Sequence, residues 1–138
     1  LWHVDRRQWQ QAKECLAESV HLDYASLNGG EPSVVARDAA VAGWAGVLGG
    51  FAGTQHLLGV PRVSLDGDQA RLEASFVATH HLPDSLGSSL WTLGGIYTVE
   101  LARAHARWRI TSLTMTATWG AGNQHLNAKA AQRAATGT

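Results

Sequence analysis

Apolar and polar positions alternate along Gln69–His80. Ala70, Leu72, Ala74, Phe76 and Ala78 share one face, while Arg71, Glu73 and Ser75 begin the other. A period of two predicts a half-buried strand. His80 ends the apolar set, where a core residue is expected. An imidazole there is costly unless it is hydrogen-bonded or faces a wet cavity. Asp66-Gly67, between Val60–Leu65 and Gln69–His80, predicts a hairpin. Thr54–Leu58 reads as a further short strand, with His56 on the face of Leu58. Ser89–Ala102 reads as a long strand carrying Trp91, Leu93, Tyr97, Val99 and Leu101 on one side, and Gly94-Gly95 inside it predicts a bulge or bend. Ala104-His105 turns the chain into a last strand, Arg107–Trp119, closed by Gly120-Ala121-Gly122.

The first third has a different period. Trp9, Ala12, Cys15 and Leu16 recur at helical spacing, which predicts a helix over Val4–Leu16. Val20–Tyr24 alternates as a short strand with Tyr24 inward. After the loop Asn28–Pro32, Ser33 is placed to cap a helix running to Leu48, with Val34, Val41, Trp44 and Leu48 as its stripe. Gly49-Gly50 ends it. Leu82-Pro83-Asp84 breaks the chain between strands, and the Ala-rich segment Asn123–Thr138 reads as a loose helix with a fraying end. Helices followed by a meander of long strands define an α+β class. A strongly curved sheet wrapped on helices makes a cone with an apolar interior. Two inward imidazoles, His56 and His80, then suggest a pocket for proton transfer.

Composition narrows the function. At 138 residues the chain forms one domain with a real core, and 45% hydrophobic against 16% charged residues excludes a disordered chain. Eleven basic residues balance eleven acidic ones with no basic stretch, so nucleic acid is not an expected partner. The single Cys15 excludes an intrachain disulfide and a cysteine-rich zinc site. No apolar run approaches the roughly 18 residues of a membrane span. No charged segment followed by an apolar run marks a leader, so the expectation is a cytoplasmic protein without membrane partners. His3, His21, His105 and His125 fall on positions expected to be solvated.

Several segments, in order, resemble the SnoaL-like branch of the nuclear-transport-factor-2-like fold, and within it the scytalone dehydratases. Val4-Asp5-Arg6-Arg7-Gln8-Trp9 is similar to the first-helix segment, Leu22-Asp23-Tyr24-Ala25-Ser26 to the segment with a catalytic tyrosine, and Thr54-Gln55-His56-Leu57-Leu58-Gly59 to the one with a first catalytic histidine. The hairpin from Asp66 to His80 resembles the one ending in a second histidine. Gly95-Ile96-Tyr97, Trp108-Arg109-Ile110 and Trp119–Asn123 resemble the last strands. The resemblance runs to Asn123, which sets a domain over 1–123 and a tail over 124–138, the tail being a candidate lid. It implies a cone-shaped mixed sheet packed on N-terminal helices.

It also implies a catalytic set of Asp5, Tyr24, His56 and His80. His81 competes with His80, and strand alternation favours His80. The first assignment makes His80 the general base and acid with Asp5 its orienter; the variant pairs Asp5 with His56. Candidate lining residues are Val4, Trp44, Phe76, Trp91, Tyr97, Val99, Leu101 and Trp119. Val4 stands where the dehydratases have a second tyrosine, and Val99 and Leu101 align with their polar residues, so this pocket is more apolar. The implied function is a cofactor-independent lyase or isomerase on a small apolar, cyclic, oxygenated molecule, without a metal. A polyketide cyclase, a dehydrochlorinase, a binding module and a partner subunit are the alternatives. Pairing through the outer face of the sheet, as a homo-dimer or trimer, is expected.

Overall fold

A computed structural model describes residues 1–83 and 87–137; Asp84 of the expected chain break and Thr138 of the tail lie outside them. The chain opens with two short helices, α1 (Trp2–Asp5) and α2 (Trp9–Glu14), not one. The break is a helix stop. Arg7 adopts a left-handed φ of 55°, its N–H donates to the Val4 carbonyl, and the Gln8 N–H donates back to the His3 carbonyl. Glycine is the usual occupant of such a position, which is why the spacing of Trp9 and Ala12 reads as continuous. Leu16 is no longer helical; it begins β1 (Leu16–Asp23).

Tyr24 leads into α3 (Ala25–Asn28), so it sits just past the strand. Ser33 does not cap a helix. It starts β2 (Ser33–Ala36), where Val34 and Val35 pair with His21 and Val20 of β1, and β-branched residues suit that extended ladder. Helix α4 (Arg37–Leu48) follows, then β3 (Gly53–Leu58), β4 (Arg62–Asp66), β5 (Gln69–His81), β6 (Leu90–Ala104), β7 (Arg107–Gly122) and α5 (Leu126–Thr136).

The strands form one curved, unclosed sheet in the order β2-β1-β7-β6-β5-β3, with β4 also on β5. β1 runs parallel to β7; the other neighbours are antiparallel. The α+β expectation holds. The Asp66-Gly67 hairpin forms, with Asp66 opposite Gln69. Gly94 and Gly95 face a register shift in β7, where Gly94 opposes Trp119 and Gly95 opposes Ala117, leaving Thr118 as the extra residue of a bulge.

The concave face carries the core: Phe51, Phe76, Ala78, Leu82, Trp91, Leu93, Tyr97, Leu113 and Met115 are buried together. A second cluster of Leu16, Val20, Ala40 and Val41 lies between β1 and α4, and Trp9 and Trp44 pack on it. The C-terminal helix is not loose: Leu126 and Ala130 are fully buried members of the main core. No helix among the described residues is long and apolar enough to cross a membrane.

The close approach of α5 depends on Gly50. A methyl group there would overlap the Ala130 carbonyl. Gly50→Ala is expected to cost about 1–3 kcal/mol through forced backbone movement. Chemical denaturation should show that loss, and amide exchange over 126–136 should accelerate. Unchanged values in both measurements would contradict the contact.

Candidate active site

The site is set by a cross-strand diagonal. In the β3–β5 pair Thr54 opposes His80 and His56 opposes Ala78, so Thr54, His56 and His80 share one face. Diagonal neighbours on adjacent strands are within reach for rings, and the two imidazoles meet edge to face with centroids 5.7 Å apart. His80 is 4% exposed, whereas its neighbour His81 is exposed. Leu58, opposite Phe76, shares the face of His56 as expected, but at the end of β3 it is left 49% exposed.

Helix α1 brings in the acid. The helix stop at Arg7 lays α1 across β3, and Asp5 ends the helix. One oxygen of its carboxylate accepts from His56 Nδ1 at 2.7 Å and from the Thr54 hydroxyl at 2.9 Å; the other accepts from the His56 backbone N–H at 2.8 Å. Burial alone would raise the Asp5 pKa, but the His56 bonds, the His56 charge and the Thr54 bond together bring it below the usual carboxylate value. With Nδ1 donating to Asp5, the imidazole keeps a basic lone pair on Nε2. Asp5 is therefore joined to His56 and not to His80. The first assignment gives way to the variant, because the Asp5 carboxylate is bonded to both the ring and the backbone N–H of His56 on β3.

His80 lies in a different environment. Its ring packs at 5.1 Å from both Phe51 and Trp91, and its Nδ1 lies 3.3 Å from the Trp91 carbonyl. Burial, assisted by the nearby His56, pushes its pKa down to about 4. It is a neutral imidazole at neutral pH. Tyr24 accepts a hydrogen bond from Trp44 Nε1 at 3.0 Å, which leaves its own proton free to be donated. Burial raises the Tyr24 pKa to about 12 and also raises that of Tyr97.

The lining candidates separate into groups. Val4, Phe76, Trp91 and Tyr97 are buried, and Phe76 and Tyr97 stack at 4.3 Å. Val99 packs on the same core, and Trp44 acts through Tyr24. Leu101 lies apart, in a cleft of about 520 Å³ shared with His3, Gln11, Cys15 and Trp108. Trp119 is corrected: the Thr118 bulge sets it opposite Gly94, whose outward side its ring covers, and it is 49% exposed. It stands at the rim of a cleft of about 460 Å³ with Leu27, Trp91 and Leu93.

His21, expected in solvent, is half-buried and lies 3.1 Å from the Ser112 hydroxyl. Thr54 and Phe51 were not anticipated. Thr54 was legible as the residue two before His56; Phe51 sits outside any periodic segment. Among the described residues no group of three metal-ligating side chains converges.

This geometry places an acid–imidazole pair inside a curved sheet. The chain belongs to the SnoaL-like domain family, whose model matches residues 1–114. Among solved structures it is similar to the Kfla4162 protein from Kribbella flavida, at 25% identity and a TM-score of 0.83 over 94% of this chain and 87% of that one. It also resembles a protein provisionally described as a scytalone dehydratase from Novosphingobium aromaticivorans, at 17% identity and 0.76 over 89% and 79%. A third is the hexachlorocyclohexane dehydrochlorinase LinA-type3 from Novosphingobium barchaimii, at 13% and 0.71 over 88% and 81%. The last two likenesses concern the fold. No curated protein matches the chain.

His80 makes stability depend on pH in a defined window. The unfolded imidazole takes up a proton below about pH 6.5, and the folded one only below about 4. The unfolded state therefore binds more protons in between, and stability falls as pH falls from 6.5 to 4, by about 3 kcal/mol in total. Asp5 adds its loss only below about pH 3.8. Denaturant unfolding at several pH values should show this slope in the wild type and a flatter one in His80→Phe. Parallel curves would contradict the neutral, buried His80.

Proposed function

We propose that the protein is a cofactor-independent lyase or isomerase acting on a small, apolar, cyclic molecule that carries a carbonyl or hydroxyl group. The half-buried Asp5–His56 dyad beside a neutral, buried imidazole carries this reading. His56 Nε2 takes the proton from a carbon next to a carbonyl. The growing negative charge falls on the carbonyl oxygen, to which the Tyr24 O–H donates. In a dehydration the carbon–oxygen bond to the leaving hydroxyl then breaks, the imidazolium returns the proton to that oxygen, a carbon–carbon double bond forms and water departs. In an isomerisation the same proton returns to a different carbon. Either path restores the dyad. Asp5 keeps the imidazole in the required tautomer and stabilises its cation. His80 stays neutral, its Nδ1–H directed to the Trp91 carbonyl, and its Nε2 accepts a hydrogen bond from the substrate hydroxyl.

The substrate-facing walls are proposed to be Val4, Phe76, Trp91, Tyr97 and Val99. Exposed Leu57, Val77 and Ile96 on the outer side of the sheet suit a second copy of the chain. Neighbours with names of dehydratase and dehydrochlorinase support elimination as the reaction type.

His56→Ala and Asp5→Asn should each lower turnover of a responsive cyclic hydroxy-ketone by about 10²–10⁴-fold. The measurement is ultraviolet detection of the conjugated product across a panel of such compounds. Equal turnover in wild type and His56→Ala would remove the dyad from the chemistry.

A further inference from the structure

Arg7 occupies a position where glycine costs less. Its left-handed φ of 55° closes the helix stop after Asp5, and a side chain in that conformation is strained. The guanidinium shows what the side chain contributes. Nη2 donates to the Phe51 carbonyl at 2.6 Å and to the Leu48 carbonyl at 3.2 Å, and Nη1 lies 3.4 Å from the Asp5 carbonyl. These three carbonyls belong to the two ends of the site. Asp5 holds His56. Leu48 ends α4 and Phe51 lies in the exit that leads into β3, and the Phe51 ring packs on His80. The Leu48 carbonyl, which also accepts from the Phe51 N–H, and the Phe51 carbonyl lie at a helix exit, where a planar, multi-donor cation is a suited partner.

We propose that Arg7 is a positioning residue: its guanidinium ties the end of α1 to the exit of α4 and so holds the Asp5 carboxylate against Thr54 and His56. It acts through backbone carbonyls and touches neither the carboxylate nor the substrate. Its consequence for rate rests on the dyad reading above; its effect on the dyad's geometry does not.

The test reads the dyad directly. In the wild type the His56 Nδ1 proton, held by Asp5, should give a resolved NMR resonance that exchanges slowly with water; Asp5→Asn identifies it by shifting it. Arg7→Gly relieves the backbone strain and removes the guanidinium. It should make this proton exchange about tenfold faster or more, the scale of a lost hydrogen bond to a charged group, while core amides such as that of Val20 keep their protection. Arg7→Lys, which keeps the charge and loses the fork, should fall between. It also serves as the reading if the glycine variant does not fold. Unchanged His56 exchange in the folded variants overturns the proposal. So does acceleration that Val20 shares by the same factor, because that reports stability alone. Should His56→Ala leave turnover intact, the dyad's chemical role fails while this NMR result still stands or falls by itself.

Discussion

A carboxylate withdrawn from water must recover its solvation from donors, and the arrangement around Asp5 follows from that requirement. Three donors converge on it, all from β3: a hydroxyl, a backbone N–H and an imidazole. They can converge only if α1 stops at Asp5 and lies on β3, while α2 turns away to pack against α4. A single helix from Val4 to Leu16 could not serve both contacts. The helix stop, the strained Arg7 and the early start of β1 at Leu16 all serve the satisfaction of one half-buried carboxylate.

Much of the fold was legible because strand alternation is local. The face of β5, the Asp66-Gly67 hairpin, the bulge opposite Gly94-Gly95 and the inward turn of His80 rather than His81 all follow from neighbours within a few residues. What was illegible depended on distant partners. Nothing near Arg7 marks a helix stop, since the residue that punctuates such stops is glycine and the compensating carbonyls lie more than 40 residues away. Ser33 reads equally as a cap or a strand start, and pairing with β1 decides it. Alternation also says which way an imidazole points without saying which imidazole the acid reaches. The lie of α1 on β3, not the alternation of either strand, assigns Asp5 to His56. Trp119 shows the same limit in reverse: one inserted residue moved it from the expected wall to the rim.

The ionisable groups inside the sheet share one tendency. Burial raises the phenols of Tyr24 and Tyr97 and lowers the imidazole of His80. Each shift favours the uncharged form, as a low-dielectric interior requires. Asp5 is the exception, and its hydrogen bonds account for it. The resting interior therefore contains a stabilised carboxylate bonded to the His56 ring, with the neutral His80 ring 5.7 Å from that ring.

This asymmetry bears on what such an interior can accept. An anionic ligand would need its own counter-ion, and Phe76, Trp91 and Val99 on this face carry no charge. A neutral molecule needs only hydrogen bonds, which the Tyr24 O–H can donate and His80 Nε2 can accept. In the reaction proposed above, charge appears on a carbonyl oxygen facing a phenol and on an imidazole already bonded to a carboxylate. The dipoles that stabilise those charges are in place before the substrate arrives, so little reorganisation is needed as the charge develops. The same apolar walls that make an unpaired ion expensive also strengthen these bonds. The burial that lowers the His80 pKa and the burial that would assist catalysis are thus one physical property of the sheet's concave face.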